Sequence, residues 1–482
     1  MISLRGLSRF RNGTTRMRTN RPSRMARLKS QCGSGICGIA VFAMLTFPTL
    51  AADATPHSIW EWGNLTGDWS GARTALTDRG ITLTLDYVSE MIANLRGGLE
   101  RQTTYEGRLE ASADFDFDKL THWRGGSAHV TVYQIHDVNQ RNAADSVGSL
   151  GDPSNIDALP TTRLFTAWVQ QEFPNKNLFR IGQLSADEDF SVMKSAGNLL
   201  NGAFGWPVLN GADMTSGGPA YPLATPGALA VFYLQPDVVL RAGVFSGNPA
   251  GNDCQDDPQV CNRHGTTFST SGGVLLMGEL AYEINQEDGA GGPAIALKIG
   301  GWYHTGTFAD QRFGRDGVGN VVSLANPSVV EPLTHRGDWA LYGLVDNTLF
   351  TSSQMSVSAF LRGQVAPSDR NLVSWGVDAG IAIEGLFENR KDDTLTMAVS
   401  HSRISARAAG LDRDTSAGSA GYPIRDAETV FELNYFVAVS PWWSIQPDIQ
   451  YVVHPGGNVP DKTGKQAVND AFLVGVRSSI SF

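Results

Sequence analysis

From Ile81 to Phe482 the chain alternates apolar and polar side chains with a period of two. In the first such run, Ile81, Leu83, Leu85 and Tyr87 share one face, and Thr82, Thr84 and Asp86 share the other. Further on, Tyr105, Leu109, Ala111, Ala113, Phe115 and Phe117 alternate with Glu106, Arg108, Glu110, Ser112, Asp114 and Asp116. Val373, Trp375, Val377, Ala379, Ile381 and Ile383 alternate with Ser374, Asp378 and Glu384, and Phe431, Leu433, Tyr435, Val437 and Val439 with Glu432, Asn434 and Ala438. Successive strand side chains point to opposite faces, so these runs predict strands with one apolar face. Runs of about 10 to 13 residues suit tilted strands crossing a membrane better than the strands of a soluble sandwich.

The same pattern marks sixteen segments, at 81–93, 104–117, 127–137, 162–173, 177–184, 228–235, 238–246, 273–284, 294–305, 338–350, 354–365, 373–386, 393–404, 427–439, 442–454 and 470–482. An even number fits a closed single-chain barrel. Connections after even-numbered segments tend to be short, such as Pro174-Asn-Lys, Gln235-Pro-Asp and Pro441. Those after odd-numbered ones are mostly long: about 185–227, 247–272, 306–337 and 405–426, with 366–372 a short exception. Short periplasmic turns alternating with long outer loops are a barrel trait. The predicted fold is therefore all-β, a transmembrane antiparallel β-barrel of about sixteen strands over 81–482. A short helical segment over 53–80 precedes it, stopped by Gly80, with Trp69, Ala72 and Leu76 on one side. Trp375, Trp443, Tyr435 and Tyr451 fall on the lipid-facing parity, as interfacial aromatic belts do.

Composition changes this picture mainly at the N-terminus. Nine basic residues precede the apolar run 37–50, and no acidic residue occurs before Asp53. A basic stretch, a short apolar stretch and small residues predict a secretory signal over 1–52, cleaved near Ala52 or Ala54. The basic part is long, and a start at Met25 would give a signal of ordinary length. Without residues 1–52 the net charge moves from −10 to −19. So acidic a balance argues against nucleic acid as a partner, which needs basic patches. Only 18% of residues are charged, and no run of roughly 20 apolar residues predicts a membrane helix.

Cys32 and Cys37 lie in the signal region; Cys254 and Cys261 remain. In an oxidising exported compartment the latter pair is a disulfide candidate. As a metal site it has only His264 nearby, at irregular spacing. No metal and no cofactor is expected. Enzyme readings fail on the motifs: no G-x-S-x-G or H-E-x-x-H occurs, and the adjacent His401 and Ser402 would point to opposite faces of a strand. The acidic stretch Gly151-Asp-Pro-Ser-Asn-Ile-Asp lacks the spacing of a calcium-binding EF-hand loop.

Several stretches resemble the OprB family of carbohydrate-selective porins. They are Leu65-Thr-Gly-Asp-Trp-Ser-Gly-Ala-Arg-Thr-Ala-Leu-Thr-Asp-Arg-Gly-Ile-Thr, Ala242-Gly-Val-Phe-Ser-Gly-Asn-Pro, Asp257-Pro-Gln-Val-Cys-Asn-Arg-His-Gly-Thr, Ile445-Gln-Pro-Asp-Ile-Gln-Tyr-Val-Val-His-Pro-Gly-Gly and Val474-Gly-Val-Arg-Ser-Ser-Ile-Ser-Phe. The resemblance implies a sixteen-stranded porin passing glucose and related sugars in the outer membrane of a Gram-negative bacterium. The cysteine pair departs from the family pattern.

Such a channel works through the shape and polarity of its constriction. Strand parity turns Glu106, Arg108, Arg241, Lys298, Trp302, Arg362, Asp378 and Glu384 toward the lumen. Arg108, Arg241, Arg362 and Glu384 are preferred because each lies near a predicted strand middle. Guanidinium forks and carboxylates can hydrogen-bond sugar hydroxyls, and the Trp302 ring can meet the apolar face of a pyranose. The competing reading makes the same charges wall-stabilising ion pairs. The connection from about 185 to 227 is expected to fold inward. Expected partners are small sugars, outer-membrane lipid and lipopolysaccharide, and the barrel-assembly machinery, engaged through the last strand, whose apolar face ends on Phe482. The oligomer is a monomer or a homotrimer. A general or organic-acid porin, and a non-conducting structural or adhesive barrel, are the alternatives.

Overall fold

The computed structural model describes residues 58–138, 142–287, 292–419 and 421–482. The signal over 1–52, with Cys32, Cys37, Met25 and both cleavage positions, lies outside them. Among the described residues seventeen strands form one sheet. Sixteen make the wall: β1 (Ile81–Arg96), β2 (Thr103–Asp116), β3 (Gly126–Asp137), β4 (Thr161–Glu172), β5 (Leu178–Leu184), β6 (Thr225–Gln235), β7 (Val238–Ser246), β8 (Val274–Ile284), β9 (Ile295–Asp316), β11 (Val329–Thr351), β12 (Ser356–Val365), β13 (Val373–Glu384), β14 (Thr394–Ile404), β15 (Ala427–Ser440), β16 (Trp443–Val453) and β17 (Ala471–Ser481). The remaining strand, β10 (Val321–Ser323), adds three residues to a hairpin outside the wall. Each wall strand pairs antiparallel with the next. Pairing of β1 with β17 closes the barrel, from Asp86 opposite Ser481 onward.

Burial is inverted relative to a soluble protein. Leu83, Met91, Ile181, Leu276, Ile299, Leu341, Phe431 and Ile449 point out and stay exposed, whereas Glu90, Arg108, Glu279, Arg362, Asp378, Glu432 and Asn434 are buried inside. So continuous an apolar outer surface would be costly in water and is stable against lipid. Trp375 and Tyr451 stand near the long-loop ends of their strands, Tyr435 and Trp443 near the short-turn ends, as two belts require.

All sixteen predicted segments coincide with wall strands, but three details differ. β9 and β11 run on to Asp316 and start at Val329, so most of the expected 306–337 loop is a protruding hairpin. A register shift between Val373 and Trp375 turns Val373 off the lipid face, and it is fully buried. The expected loop 405–426 contains helix α6 (Ala406–Gly418).

Before the barrel, helix α1 (Ala72–Asp78) ends as expected before Gly80. Gly80 adopts φ +94°, and a Cβ there would stand 2.7 Å from the Asp116 carbonyl, so only glycine fits this approach to β2. The segment packs on the closing seam. Arg73 donates to the Phe482 carbonyl at 2.6 Å, and Trp60 stacks on Trp442 with ring centres 5.6 Å apart.

Candidate functional site

Two long connections fold into the lumen. The first, residues 185–224, was expected there; the second, the described part of 138–160, was not. Loop backbones lack a ladder, so their buried N–H and carbonyl groups must find partners elsewhere. Here the wall supplies them. Glu432 on β15 accepts the amides of Leu200 (2.5 Å) and Asn201 (2.9 Å), and Glu279 on β8 accepts that of Ser191 at 2.9 Å. Gln446 on β16 donates to the Asn198 carbonyl at 2.9 Å. The loop that leaves β5 thus reaches the wall on the far side.

Arg362 on β12 is the strongest of these ties and has no exposed surface. Its Nε donates to Asp378 Oδ2 at 2.8 Å. Its two Nη groups donate to the carbonyls of Ser191 (3.1 Å), Ala203 (2.8 Å) and Gly205 (2.8 Å). A guanidinium serves because its planar fork offers several donors in fixed directions. Asp378 also accepts the Ser400 hydroxyl at 2.6 Å.

Beside it, Arg241 on β7 bridges Glu279 (3.0 Å) and Glu283 (2.9 Å). Lys298 on β9 reaches Glu283 at 3.2 Å and the Val192 carbonyl at 3.1 Å. The Trp302 ring is 3% exposed, and its Nε1 donates to Asn210 in the same loop at 2.9 Å. That ring is packed under the loop, so it offers no free face to a sugar. On the other side of the barrel, Arg108 lies between the rings of Tyr133 (4.7 Å) and Tyr221 (5.1 Å), with Glu110 at 3.6 Å.

The structure therefore gathers Arg241, Lys298, Trp302, Arg362 and Asp378 around the first loop. Glu106 instead accepts the Ala143 amide of the second loop at 3.1 Å. Glu384 is not near a strand middle. It is the last residue of β13, exposed, at the short-turn end, and in the expected 373–386 segment it already stood only two residues from that end. Cys254 and Cys261 are joined as a disulfide.

Sequence reading missed the second loop. Glu428 on β15 accepts the amides of Leu150 (2.7 Å) and Gly151 (2.9 Å), and Gln450 donates to the Pro153 carbonyl at 2.9 Å. Tyr221 donates to the Ile156 carbonyl at 2.8 Å, locking the two loops together. The turn-forming Asp-Pro-Ser-Asn run within the second loop is the signal that could have marked a compact inward fold.

At the short-turn end a cavity of about 640 Å³ lies between β1–β5 and the first loop. Asp114, Asp116, Asp187, Glu188 and Asp189 line it, against Lys119 and Arg180. Arg180 covers the Trp168 ring at 4.4 Å and pairs with Asp189 at 3.0 Å. A second cavity of about 500 Å³ at the same end includes Glu384, Asp346 and Asp392. Volumes in this range suit small-molecule passage or binding.

Known proteins match this architecture along nearly the whole barrel. The family model described as carbohydrate-selective porin, OprB family, matches residues 100–482. Porin B of Pseudomonas aeruginosa is 24% identical over 467 residues, covering 90% of this chain and 93% of that protein. A putative porin of Acinetobacter baylyi, QuiX, is 25% identical over 446 residues, covering 87% and 93%. The high-pH structure of Pseudomonas putida OprB superimposes with a TM-score of 0.76 at 21% identity, covering 88% of this chain and 100% of that one.

Proposed function

The chain belongs to the carbohydrate-selective porin family, OprB, and is an outer-membrane β-barrel of a Gram-negative bacterium; from that premise we propose that it lets small uncharged sugars such as glucose diffuse passively through a polar, narrowed lumen. The observation that carries this reading is the pair of infolded loops. They narrow the barrel with groups held by hydrogen bonds, leaving a vestibule walled by carboxylates, arginine and amides. In that vestibule Asp114, Asp116, Asp187, Glu188 and Asp189 outnumber Lys119 and Arg180. An acidic wall favours neutral over anionic cargo, which supports sugars over organic acids.

Within this reading Arg241, Lys298 and Glu384 border the path, while Arg108, buried between two tyrosine rings, and Glu106, bonded to the second loop, shape the wall behind it. Arg362, Asp378 and Trp302 position the loop that narrows it. The porin family and the barrel fold support a channel rather than an enzyme. In this reading residues 1–52 serve export, the helical segment described from residue 58 to 80 lies on the periplasmic side, and 81–482 form the barrel, with the long loops outside. Insertion uses the β17 end at Phe482, in contact with lipid and lipopolysaccharide.

Liposome swelling with a panel of monosaccharides and organic acids tests the proposal. Swelling should be faster with glucose than with anions of similar size, and glucose should reduce planar-bilayer conductance. Equal rates for both cargo classes would return the protein to the general porins. An absence of conductance would make it a structural barrel.

A further inference from the structure

We propose that Asp213, Asp338 and Asn371 bind one hard divalent cation of the calcium class, which pins the infolded loop to the wall at the long-loop end. Asp213 closes helix α4 (Val208–Asp213) of that loop, Asp338 lies on β11 just after Gly337, and Asn371 sits in the short 366–372 connection. All three are buried, at 8%, 0% and 1% exposure. In each, one side-chain oxygen has no hydrogen-bond donor: Asp213 Oδ2, Asp338 Oδ2 and Asn371 Oδ1.

The other oxygens show that the three belong to one place. Asp213 Oδ1 accepts the amides of Leu372 (2.9 Å) and Val373 (3.2 Å). Asp338 Oδ1 accepts the Trp339 amide at 2.8 Å and the Asn371 side-chain amide at 2.9 Å. The two carboxylates are within electrostatic reach of each other. A buried carboxylate with one oxygen facing no donor is disfavoured unless a cation or proton answers it. The adjacent cation, Arg370, is within electrostatic reach of Asp338 but spends its hydrogen bonds elsewhere: it pairs with Asp369 at 2.8 and 3.0 Å and donates to the Gly337 carbonyl at 2.6 Å.

The donor set names the ion class. Carboxylate and amide oxygens, without nitrogen or sulfur, suit calcium, magnesium or manganese. Calcium accepts irregular geometry and completes its shell with carbonyls and water, whereas magnesium demands a near-ideal octahedron. Among the described residues no three His, Cys, Asp or Glu side chains converge on a metal centre. This site reaches three oxygens only through the amide of Asn371.

The test uses the full chain in detergent, stripped with chelator and titrated with calcium by calorimetry, with thermal unfolding in parallel. One saturable site is expected, with a rise in melting temperature that chelator reverses. Asp213→Asn should weaken binding at least tenfold, and Asn371→Ala should do the same if the first variant fails to fold. Carried-over lipopolysaccharide would bind calcium equally in all three proteins. No calcium-dependent shift in the wild type, or an undiminished one in the variants, overturns the proposal and leaves a proton shared by the carboxylates. Sugar-induced swelling is read separately, so failure here leaves the transport reading standing.

Discussion

Arg362 and Asp378 are register partners on neighbouring strands, and their side chains meet at 2.8 Å with both groups almost wholly buried. The same guanidinium holds three carbonyls of the infolded loop. Replacing it with alanine strands Asp378 without its cation and frees the loop. Breaking a buried pair from one side costs about 3 to 5 kcal/mol. Arg362→Ala should therefore lower the temperature at which the barrel unfolds and make single-channel current fluctuate. Arg362→Lys should rescue little, because an ammonium cannot present the planar fork. Quiet, wild-type current from the alanine variant would show that the loop is held by its other contacts.

The barrel was legible because lipid on one side and polar lumen on the other force every wall strand to alternate. Where only one of those conditions fails, the signal fails with it. The tip of β9 carries Gln311, Arg312, Arg315 and Asp316, and beyond the membrane both faces of its hairpin with β11 meet water, so no alternation marks it as strand. Val373 follows the lipid-facing parity, yet a shifted register places it against the loop, where Asp213 takes its amide. The charges at 241, 298, 362 and 378 were found by parity, and Arg241 and Asp378 pair with side chains of the wall, but Lys298 and above all Arg362 also hold backbone carbonyls of the infolded loop. Any sequence offers those groups, which is why the second infolded loop and its receptor Glu428 were not readable.

Arg241 keeps 18% of its side chain exposed while bridging Glu279 and Glu283. Its removal leaves Lys298, paired with Glu283, as the cation beside the two carboxylates. A unit charge about 4 Å from a passing ion is worth about 1 kcal/mol in water-like surroundings, or about fivefold in permeability ratio. Arg241→Ala should shift selectivity toward cations by that order, read as a reversal potential across a potassium chloride gradient. A shift toward anions would mean that the ion path runs elsewhere.

The disulfide between Cys254 and Cys261 steadies a loop that completes the wall. β5 pairs with β4 only from Ala167 toward the short turn, so the outer part of β4 needs another partner. The Leu164 amide donates to the His264 carbonyl at 3.0 Å, and Gln183 donates to the Gly265 carbonyl at 2.9 Å. Gly265, at φ +67°, lies so close to β4 that a Cβ would stand 1.9 Å from the Leu164 carbonyl. Closing so short a loop contributes about 2 kcal/mol. The Cys254→Ser, Cys261→Ser double variant should be cut faster by protease within 247–273, with sugar-induced swelling unchanged. Equal cleavage rates would show that the strand-edge contacts suffice alone.

Asp414 on α6 accepts Arg312 Nε and Nη2, each at 2.8 Å, and the Ser323 hydroxyl at 2.7 Å. It thereby ties the outer helix to the β9–β11 hairpin. The hydrogen bonds from Arg312, first, and from Ser323 hold its carboxyl below the usual aspartate range, against a modest opposing effect of burial. A carboxyl depressed in the folded state stabilises above its unfolded value, about 3.9. That contribution fades as pH falls through the lower folded value. The helix should thus stay docked at neutral pH and loosen only below about pH 4, seen as faster hydrogen exchange over Ala406–Gly418. Because the pair is largely solvated, the effect is local and leaves the barrel folded. Asp414→Asn should show the same loosening at pH 7. Exchange in that variant indistinguishable from wild type would mean that the helix is held by its apolar contacts instead.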